Sequence, residues 1–216
     1  MAVFAAVGAD RRQRRHSGYL AASMTVLIQS LAAAADDLSE LQRPFALVGG
    51  LAVSSRAEPR FTRDADLAVA VNSDTDAEQT VSALLDRGYA VEAVVEQTTL
   101  GRLATARLRS RVAGGIIVVL LFASSGIESE IAAGAEVLAV ARGLRLPVAR
   151  TGHLIALKLL SHDADRRRQD MIDLDELKVV ATDEDWLLAA NACQLIVDRG
   201  FHRKRDLIGL LANLRA

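Results

Sequence analysis

Two aspartates that lie one residue apart follow a glycine pair in the segment 45–71, FALVGGLAVSSRAEPRFTRDADLAVAV. Gly49 and Gly50 lack a β-carbon, which lets the backbone approach a ligand closely and adopt positive φ angles. In an extended chain, residues two apart point to the same face, so Asp64 and Asp66 are predicted to project together. Two carboxylates on one face repel each other unless a cation lies between them.

Hard oxygen ligands of this kind suit Mg²⁺ that carries substrate phosphates, with Mn²⁺ as an alternative ion. Thr62 precedes Asp64 by two residues, so its hydroxyl is predicted to share that face and to bind a phosphate oxygen. Backbone N–H groups around Gly50 would add donors at the start of a short helix. A glycine pair or an Asp-x-Asp pair alone is common in turns and solvated strands. Together, in the order strand, glycine pair, helix, strand, they favour metal-assisted chemistry on a nucleotide.

A lysine in an otherwise apolar segment, TGHLIALK (151–158), is the next candidate for chemistry. The ammonium group of Lys158 needs an anion there, and either a triphosphate or a nearby aspartate would serve. Asp170 and Asp173 are three residues apart on a predicted helix, so one is expected to pair with Lys158 while the other meets an arginine. Taken alone, Lys158 is also compatible with a lysine that reaches solvent from a helix edge.

Hydrophobic periodicity predicts the elements that must position these side chains. The first part mixes helices and strands, whereas the sequence beyond Pro147 carries helical patterns with almost no strand signal. Gly114 and Gly115 predict a hairpin between two strands. The predicted strands are Phe45–Val48, Asp64–Val71, Tyr89–Glu96, Leu103–Ser110, Ile116–Phe122 and Glu136–Val140. The predicted helices are Thr25–Leu41, Leu51–Arg56, the segment from the Asn72–Asp76 turn to Arg87, Gly152–Asp163, Arg167–Val180, Asp183–Asp198 and His202–Leu214.

Composition and charge restrict the class of protein. The 216 residues are 51% hydrophobic and 25% charged, as in an ordinary globular protein. The net charge of −1 gives no global positive field, so contact with nucleic acid would depend on local basic clusters such as Arg166–Arg168 and His202–Arg205. The single cysteine, Cys193, excludes an internal disulfide and most cysteine-based zinc sites.

The termini and apolar runs predict a cytoplasmic protein without a membrane partner. No apolar run approaches the roughly 20 residues that a membrane helix needs. At the N-terminus a short apolar run precedes the basic run RRQRR, the reverse of the order in a secretory signal. Residues 1–23 are therefore expected to be a disordered leader.

Taken as a set, these motifs resemble the nucleotidyltransferase superfamily with the polymerase-beta fold. The signature of that superfamily is a strand ending in Gly-Gly or Gly-Ser, followed by an Asp-x-Asp strand. The run RFTRDADL (60–67) is similar to the version in the AbiEii group of toxin nucleotidyltransferases, which includes the mycobacterial MenT toxins. TGHLIALK and the later run RRQDMID (167–173) resemble the helical motif of the same group. The resemblance covers roughly residues 45–178.

The resemblance implies an α+β fold. A polymerase-beta-type nucleotidyltransferase core, a mixed sheet flanked by helices, would span residues 24–147, and a C-terminal helical bundle over 148–216 would pack on the active site. Carried onto this chain, the catalytic residues are Asp64, Asp66, Lys158 and Asp170, with Asp64 and Asp66 as the metal ligands. The implied nucleotide-binding residues are Gly49, Gly50, Thr62, Arg63 and Lys158.

The implied activity is a metal-dependent transfer of a nucleoside monophosphate from a nucleoside triphosphate, with pyrophosphate released. The MenT resemblance implies that pyrimidine nucleotides, CTP especially, are preferred and that the acceptor is the 3′ end of transfer RNA (tRNA). Nucleotides added there would block aminoacylation and growth. The resemblance therefore also implies the toxin of a toxin–antitoxin system, neutralised by a cognate antitoxin protein.

One position departs from the superfamily pattern. The run VVLLF (118–122) carries Val119 where the superfamily places a third carboxylate, and valine can neither ligate a metal nor accept a proton. A two-metal mechanism with a carboxylate base is therefore in doubt, and either Asp170 or solvent would take the acceptor's proton. Two other functions stay open: transfer to a small molecule such as an aminoglycoside, and a catalytically degenerate domain that serves only as a binding module.

Overall fold

A computed structural model of the chain describes residues 23–60, 62, 64–97, 101–161 and 168–216. The predictions made for the leader, for Arg63, and for Arg166 and Arg167 therefore lie outside the described residues, apart from the last leader residue, Ser23, with which the first described helix begins. The predicted α+β architecture is confirmed within these ranges, because a mixed sheet flanked by helices is followed by a helical C-terminal region.

The described part of the chain contains one mixed sheet. Its strands are β1 (Phe45–Val48), β2 (Ala65–Val69), β3 (Ala90–Gln97), β4 (Arg102–Arg109), β5 (Ile117–Leu121), β6 (Glu136–Ala141) and β7 (Leu144–Val148). They lie in the order β3-β4-β5-β2-β1-β7-β6. At the centre, β2 is antiparallel to β1 and parallel to β5. The strand with the Asp-x-Asp pair therefore lies in the middle of the sheet.

Helices cover the sheet and form the C-terminal region. They are α1 (23–40), α2 (Gly49–Arg56), α3 (Asp74–Asp86), α4 (Glu128–Ala133), α5 (Thr151–Ser161), α6 (Arg168–Val180), α7 (Asp183–Asp198) and α8 (Leu207–Arg215). The predicted first helix is present, and its apolar stripe is buried, as shown by Leu27, Leu31, Ala34 and Leu38. None of the helices within the described ranges combines the length and the apolar character that crossing a bilayer requires.

Local sequence signals explain several of these boundaries. Helix α3 begins where the side chain of Ser73 accepts a hydrogen bond from the backbone N–H of Asp76. Helix α7 begins with a reciprocal capping box between Thr182 and Asp185. The predicted hairpin between β4 and β5 is confirmed, with Gly114 at a φ of 68° in the turn.

The structure corrects the sequence prediction in four places. Pro147 was interpreted as the end of the strand-containing core, but it lies within strand β7. Proline is compatible with extended backbone, and β7 shares only one register pair with β1. Helix α4 was not predicted because it has only six residues. Asp64 lies just before β2 rather than within it. The last helix begins at Leu207 rather than at His202, because the preceding segment forms a turn.

Candidate active site

The carboxylate of Asp66 lies directly against the backbone of Gly49. A β-carbon added to Gly49 would be 2.0 Å from Oδ2 of Asp66, closer than atoms in contact can approach. Gly49 also has a φ of 65°, which disfavours side chains. Residues Val48 and Asp66 are register partners on β1 and β2, which fixes this approach. The first glycine is therefore required by the position of the second aspartate, a role other than the approach to a ligand that was predicted for it.

The two aspartates share one electrostatic environment. Burial, and after it the negative charge of Asp64, raise the pKa of Asp66 to about 6. The positive charges of Lys158, Arg107 and Arg60 oppose this increase. Asp64 is more exposed and lies 3.6 Å from a guanidinium nitrogen of Arg107. A half-buried carboxylate beside a second carboxylate is stabilised as an anion when a cation binds between them.

Both aspartates open onto a cavity of about 430 Å³. Gly49, Lys158 and Asp170 line the same cavity, so the sheet and the helices α5 and α6 contribute to one site. The structure thus brings together five of the residues singled out from the sequence. Their assigned roles in metal binding, nucleotide binding and catalysis stay predictions.

Lys158 is held by two carboxylates at the edge of the cavity. Its Nζ lies 2.8 Å from Oδ1 of Asp170 and 2.6 Å from Oδ2 of Asp173. Oδ2 of Asp170 also accepts a hydrogen bond from Ser161 at 3.1 Å. Burial raises the pKa of Asp173, but hydrogen bonds from Arg60 and Lys158 together hold it below its ordinary value. The expected pairing of one aspartate with the lysine and the other with an arginine is present, although Asp173 contacts both cations.

The second glycine serves a different neighbour from the first. A β-carbon on Gly50 would lie 2.6 Å from a guanidinium nitrogen of Arg60. That guanidinium donates to Asp173 at 2.8 Å, so Gly50 leaves room for the arginine that supports the lysine network. Neither Gly50 nor Thr62 lines the cavity. Their contacts with nucleotide stay predictions.

A row of register partners crosses the centre of the sheet and includes a residue that sequence reasoning missed. Asp66 on β2 pairs with Val119 on β5, and Val119 pairs with Arg107 on β4. Val119 is apolar and buried. The row therefore contains one carboxylate and one arginine, and it has no carboxylate at the position where the superfamily places its third acid. The alternation TARLR on β4, with Thr105, Arg107 and Arg109 on one face, was the sequence signal that pointed to this position.

The wall opposite α5 was also missed, because it is assembled from distant segments. Ser124, Ser125, Glu128 and Arg203 all line the cavity. Oε1 of the buried Glu128 accepts hydrogen bonds from the backbone N–H of Ser124 (2.8 Å), the backbone N–H of Ser125 (2.6 Å) and the Ser125 hydroxyl (2.9 Å). Arg203 donates to the carbonyl oxygen of Ser124 at 3.0 Å. The S-x-x-E pattern at 125–128 is a helix-start signal that could have located this wall.

This wall is held in place by contacts between the end of α7 and the start of α4. The residues involved are Gly126, Glu130, Arg199 and Phe201. The ring of Phe201 lies so close to Gly126 that a β-carbon there would be 2.5 Å from it. Arg199 donates to the carbonyl oxygen of Gly126 and to Glu130, the latter at 2.6 Å. The following turn places Arg203 in the left-handed backbone region, with a φ of 52°. Such a conformation is sparsely populated for a side-chain-bearing residue and persists because its surroundings hold it.

The residues at the cavity fit one divalent ion shared with a substrate. Asp64 and Asp66 supply two hard oxygen donors beside an open volume, which is the donor set that Mg²⁺ uses when substrate phosphates complete its shell. Within the described ranges, no group of three or more His, Cys, Asp or Glu side chains could hold a metal. A metal bound here would therefore depend on the substrate for its remaining ligands.

No protein-family model matches the sequence, and no protein of curated function is significantly similar to it. Among solved structures, the chain is similar to an antigenic nucleotidyltransferase-like protein from Paracoccidioides brasiliensis, with 20% identity, a TM-score of 0.49, and 84% of this chain and 90% of that chain covered. It is similar to the lincosamide antibiotic adenylyltransferase LnuA, lincomycin-bound, with 15% identity, a TM-score of 0.45, and coverage of 71% and 97%.

A third similar structure is MenT4, a nucleotidyltransferase toxin from Mycobacterium tuberculosis, with 14% identity, a TM-score of 0.42, and 88% of this chain and 91% of that chain covered. All three likenesses are distant. The activity of this chain therefore has to be inferred from its own residues.

Proposed function

We propose that this protein is a metal-dependent nucleotidyltransferase. It transfers a nucleoside monophosphate from a nucleoside triphosphate to an acceptor hydroxyl and releases pyrophosphate. The observation that carries the proposal is the carboxylate of Asp66 lying against the bare backbone of Gly49, with Asp64 beside it, at the cavity. A side chain on residue 49 would collide with that carboxylate, so the glycine allows Asp66 to lie at the cavity beside Asp64, where a cation and a phosphate could bind.

The roles of the site residues follow from their contacts. Asp64 and Asp66 would hold a Mg²⁺ ion, which neutralises triphosphate charge and aligns the reacting groups when it is bound. Lys158 has three N–H donors, and two of them are directed to Asp170 and Asp173. The remaining donor can reach a phosphate oxygen in the cavity. The two aspartates thus orient Lys158 rather than neutralise it fully.

The acceptor's proton passes to solvent in this proposal. In the transfer step, the acceptor oxygen bonds to the α-phosphorus while the bond from that phosphorus to the bridging oxygen breaks. Val119 cannot take the proton, and both oxygens of Asp170 already accept hydrogen bonds, from Lys158 and Ser161. A carboxylate with both oxygens occupied is a poor general base. The cavity is open to water, which serves instead.

An anionic acceptor fits the charges on the cavity wall formed by Ser124, Ser125, Glu128 and Arg203. Arg203 lines the cavity there, and the acid on that wall, Glu128, has Oε1 bonded to three donors. A guanidinium binds phosphate oxygens in a bidentate way, as along an RNA backbone. We therefore favour the 3′ end of tRNA over a polycationic aminoglycoside, and CTP as the donor on the basis of the MenT resemblance. The same resemblance supports a cytoplasmic toxin with an antitoxin partner.

A labelling experiment tests this function. The full chain is incubated with Mg²⁺ and each α-³²P-labelled triphosphate, with total tRNA, periodate-oxidised tRNA or aminoglycosides as acceptors. We expect label on intact tRNA, none on tRNA whose 3′-terminal hydroxyls have been oxidised, and none after Asp66→Asn. The exposed Asp86→Asn on α3 is the matched control and should label normally. Label on aminoglycosides alone would replace the acceptor class, and no label on any acceptor would favour a binding module.

A further inference from the structure

Among the described residues, three cations line the cavity, and they are held to very different degrees. Lys158 has two carboxylates within 2.8 Å. Arg203 donates to the carbonyl oxygen and the hydroxyl of Ser124 at 3.0 and 3.2 Å. Arg107 is 3.6 Å from Oδ2 of Asp64, and the side chains of this pair are 41% and 42% exposed. A pair this loose and this exposed contributes little free energy, so Arg107 can exchange its partner at small cost.

The sheet aims Arg107 at the predicted metal ligands. Asp66, Val119 and Arg107 are register partners on three adjacent strands, and paired residues project from the same face. Two strand spacings of about 4.8 Å place the backbone of Arg107 about 10 Å from that of Asp66. The short apolar side chain of Val119 lies between them. The long arginine side chain therefore crosses over Val119 toward Asp64.

A metal ion at the two aspartates would change this contact. The ion would take the negative charge of Asp64 and would repel the nearby guanidinium. In the cavity, Arg107 would then need another anion, and the phosphate of a bound nucleotide brings one within the same space. A planar guanidinium matches a phosphate group with two parallel hydrogen bonds.

We propose that Arg107 is a substrate-binding residue that passes from Asp64 to a phosphate group of the nucleotide when metal and nucleotide enter the site. This inference rests on the proposed nucleotidyl transfer. It gives Arg107 two effects of opposite sign. The arginine weakens metal binding in the nucleotide-free protein, and it strengthens binding of the metal–nucleotide complex.

Binding measurements on the full chain test both effects. The probes are Mn²⁺ alone, followed by the electron paramagnetic resonance of the free ion, and Mn²⁺ with α,β-methylene-CTP, followed by calorimetry. Removing a half-exposed competing cation by Arg107→Gln should tighten Mn²⁺ binding about two- to fivefold. The same variant should bind the metal–nucleotide complex about tenfold or more weakly, because a charge-assisted bidentate contact is lost.

Two further variants separate charge from geometry. Arg107→Lys keeps the positive charge, so its affinity for Mn²⁺ alone should match the wild type, while its affinity for the metal–nucleotide complex should fall, because lysine lacks the bidentate fork. Arg109→Gln is the matched control. It lies two residues along the same face of β4, donates to Glu92 at 2.7 Å, and does not line the cavity, so both affinities should stay unchanged.

The affinity for Mn²⁺ alone and the affinity for the metal–nucleotide complex each test the proposal separately. Mn²⁺ binding that is unchanged or weaker in Arg107→Gln, or metal–nucleotide binding that is unchanged, would overturn the partner exchange. If the wild type labels no acceptor, the proposed function fails, yet the two affinities still decide whether Arg107 moves from Asp64 to a phosphate. Thermal unfolding of each variant shows that the compared proteins are folded.

Discussion

On the side of the cavity formed by α5 and α6, the charged groups are buried and tightly paired, whereas on the side formed by the sheet they are half exposed and loosely paired. Asp173 is fully buried and contacts both Lys158 and Arg60 within 2.8 Å. Asp64 and Arg107 are 3.6 Å apart and reach solvent. The first group keeps its partners and fixes geometry. The second can exchange partners, which is what binding a metal and a phosphate requires.

The largest expected effect is on the sheet side. Asp66→Asn keeps the volume of the side chain and removes the charge that would hold a divalent ion, so nucleotide transfer should fall by about 10³-fold or more. Folding should not be weakened at pH 7 and should be somewhat favoured, because the charged form of Asp66 is the one that burial disfavours. Transfer is measured with labelled triphosphate, and unfolding with urea. A variant that retains a tenth of the wild-type rate would exclude Asp66 as a metal ligand.

On the helix side, the expected effect is on stability. Lys158→Met removes a charged partner from the buried Asp173, which keeps Arg60 and the amide of Gln169, and from Asp170, so the free energy of unfolding should fall by about 3 kcal/mol. Lys178→Met, at an exposed position of α6, is the control and should change it little. Urea denaturation measures both. Equal stability of the two variants would mean that the lysine network is not a framework, and the contrast between the two sides would be wrong.

The close approach of Gly49 to the carboxylate of Asp66 can be tested by adding a methyl group at the glycine. Gly49→Ala should displace the carboxylate of Asp66 by the clash at 2.0 Å and reduce transfer about a hundredfold through misplacement of the site. Gly143→Ala is a matched control, because Gly143 has a φ of 78° and no atom within 4 Å of the added carbon. Both variants carry backbone strain, but only the first meets Asp66. Similar transfer rates in the two would show that the close approach is unimportant.

A smaller effect on substrate binding is expected at the cavity wall formed by Ser124, Ser125, Glu128 and Arg203. Arg203→Gln should raise the KM for tRNA about tenfold and reduce the dependence of binding on salt by about one released counterion, if Arg203 contacts a phosphate. Arg145→Gln, exposed on β7 away from the cavity, is the control. The KM for CTP should stay unchanged in both variants. A change in the KM for CTP with none for tRNA would assign Arg203 to the donor instead.

The smallest effect concerns a buried histidine on α5. Burial lowers the pKa of His153 to about 4, with Arg150 and Arg56 acting in the same direction and Glu130 opposing them. The unfolded chain therefore binds a proton below about pH 6.5 that the folded chain does not, and stability falls as pH falls. Between pH 7 and 5.5 the wild type should lose about 1 kcal/mol relative to His153→Met. Parallel pH profiles of the two proteins would contradict this.

The sequence predicted the local parts of the site well and the assembled parts poorly. Gly49, Asp64 and Asp66 could be found because a strand, a turn and a second strand bring them together within about twenty residues. Lys158 and Asp170 could be found because helical spacing and apolar surroundings demand a partner for the lysine. In each case the physical requirement was visible within one or two neighbouring elements.

Arg107, Glu128 and Arg203 could not be found in the same way. Their place at the cavity depends on the register between β4 and β5 and on the contact between the segment after α7 and the loop before α4. The alternation on β4 and the helix-start pattern at 125–128 mark a strand face and the start of a helix, but no local pattern determines these contacts. The role of Gly50 was also unpredictable, since it depends on where the guanidinium of Arg60 lies once Asp173 has folded onto it.

The packing of Phe201 on Gly126 has a mechanical consequence for the whole molecule. Arg199 and Arg203, in the segment between the last two helices, donate hydrogen bonds to the loop that carries Ser124 and Ser125. A bound protein or a substitution that lifted this segment would open one side of the cavity and remove a cation from it. The two aspartates would stay where the central strands hold them, so the acceptor side could be dismantled while the metal side remained intact.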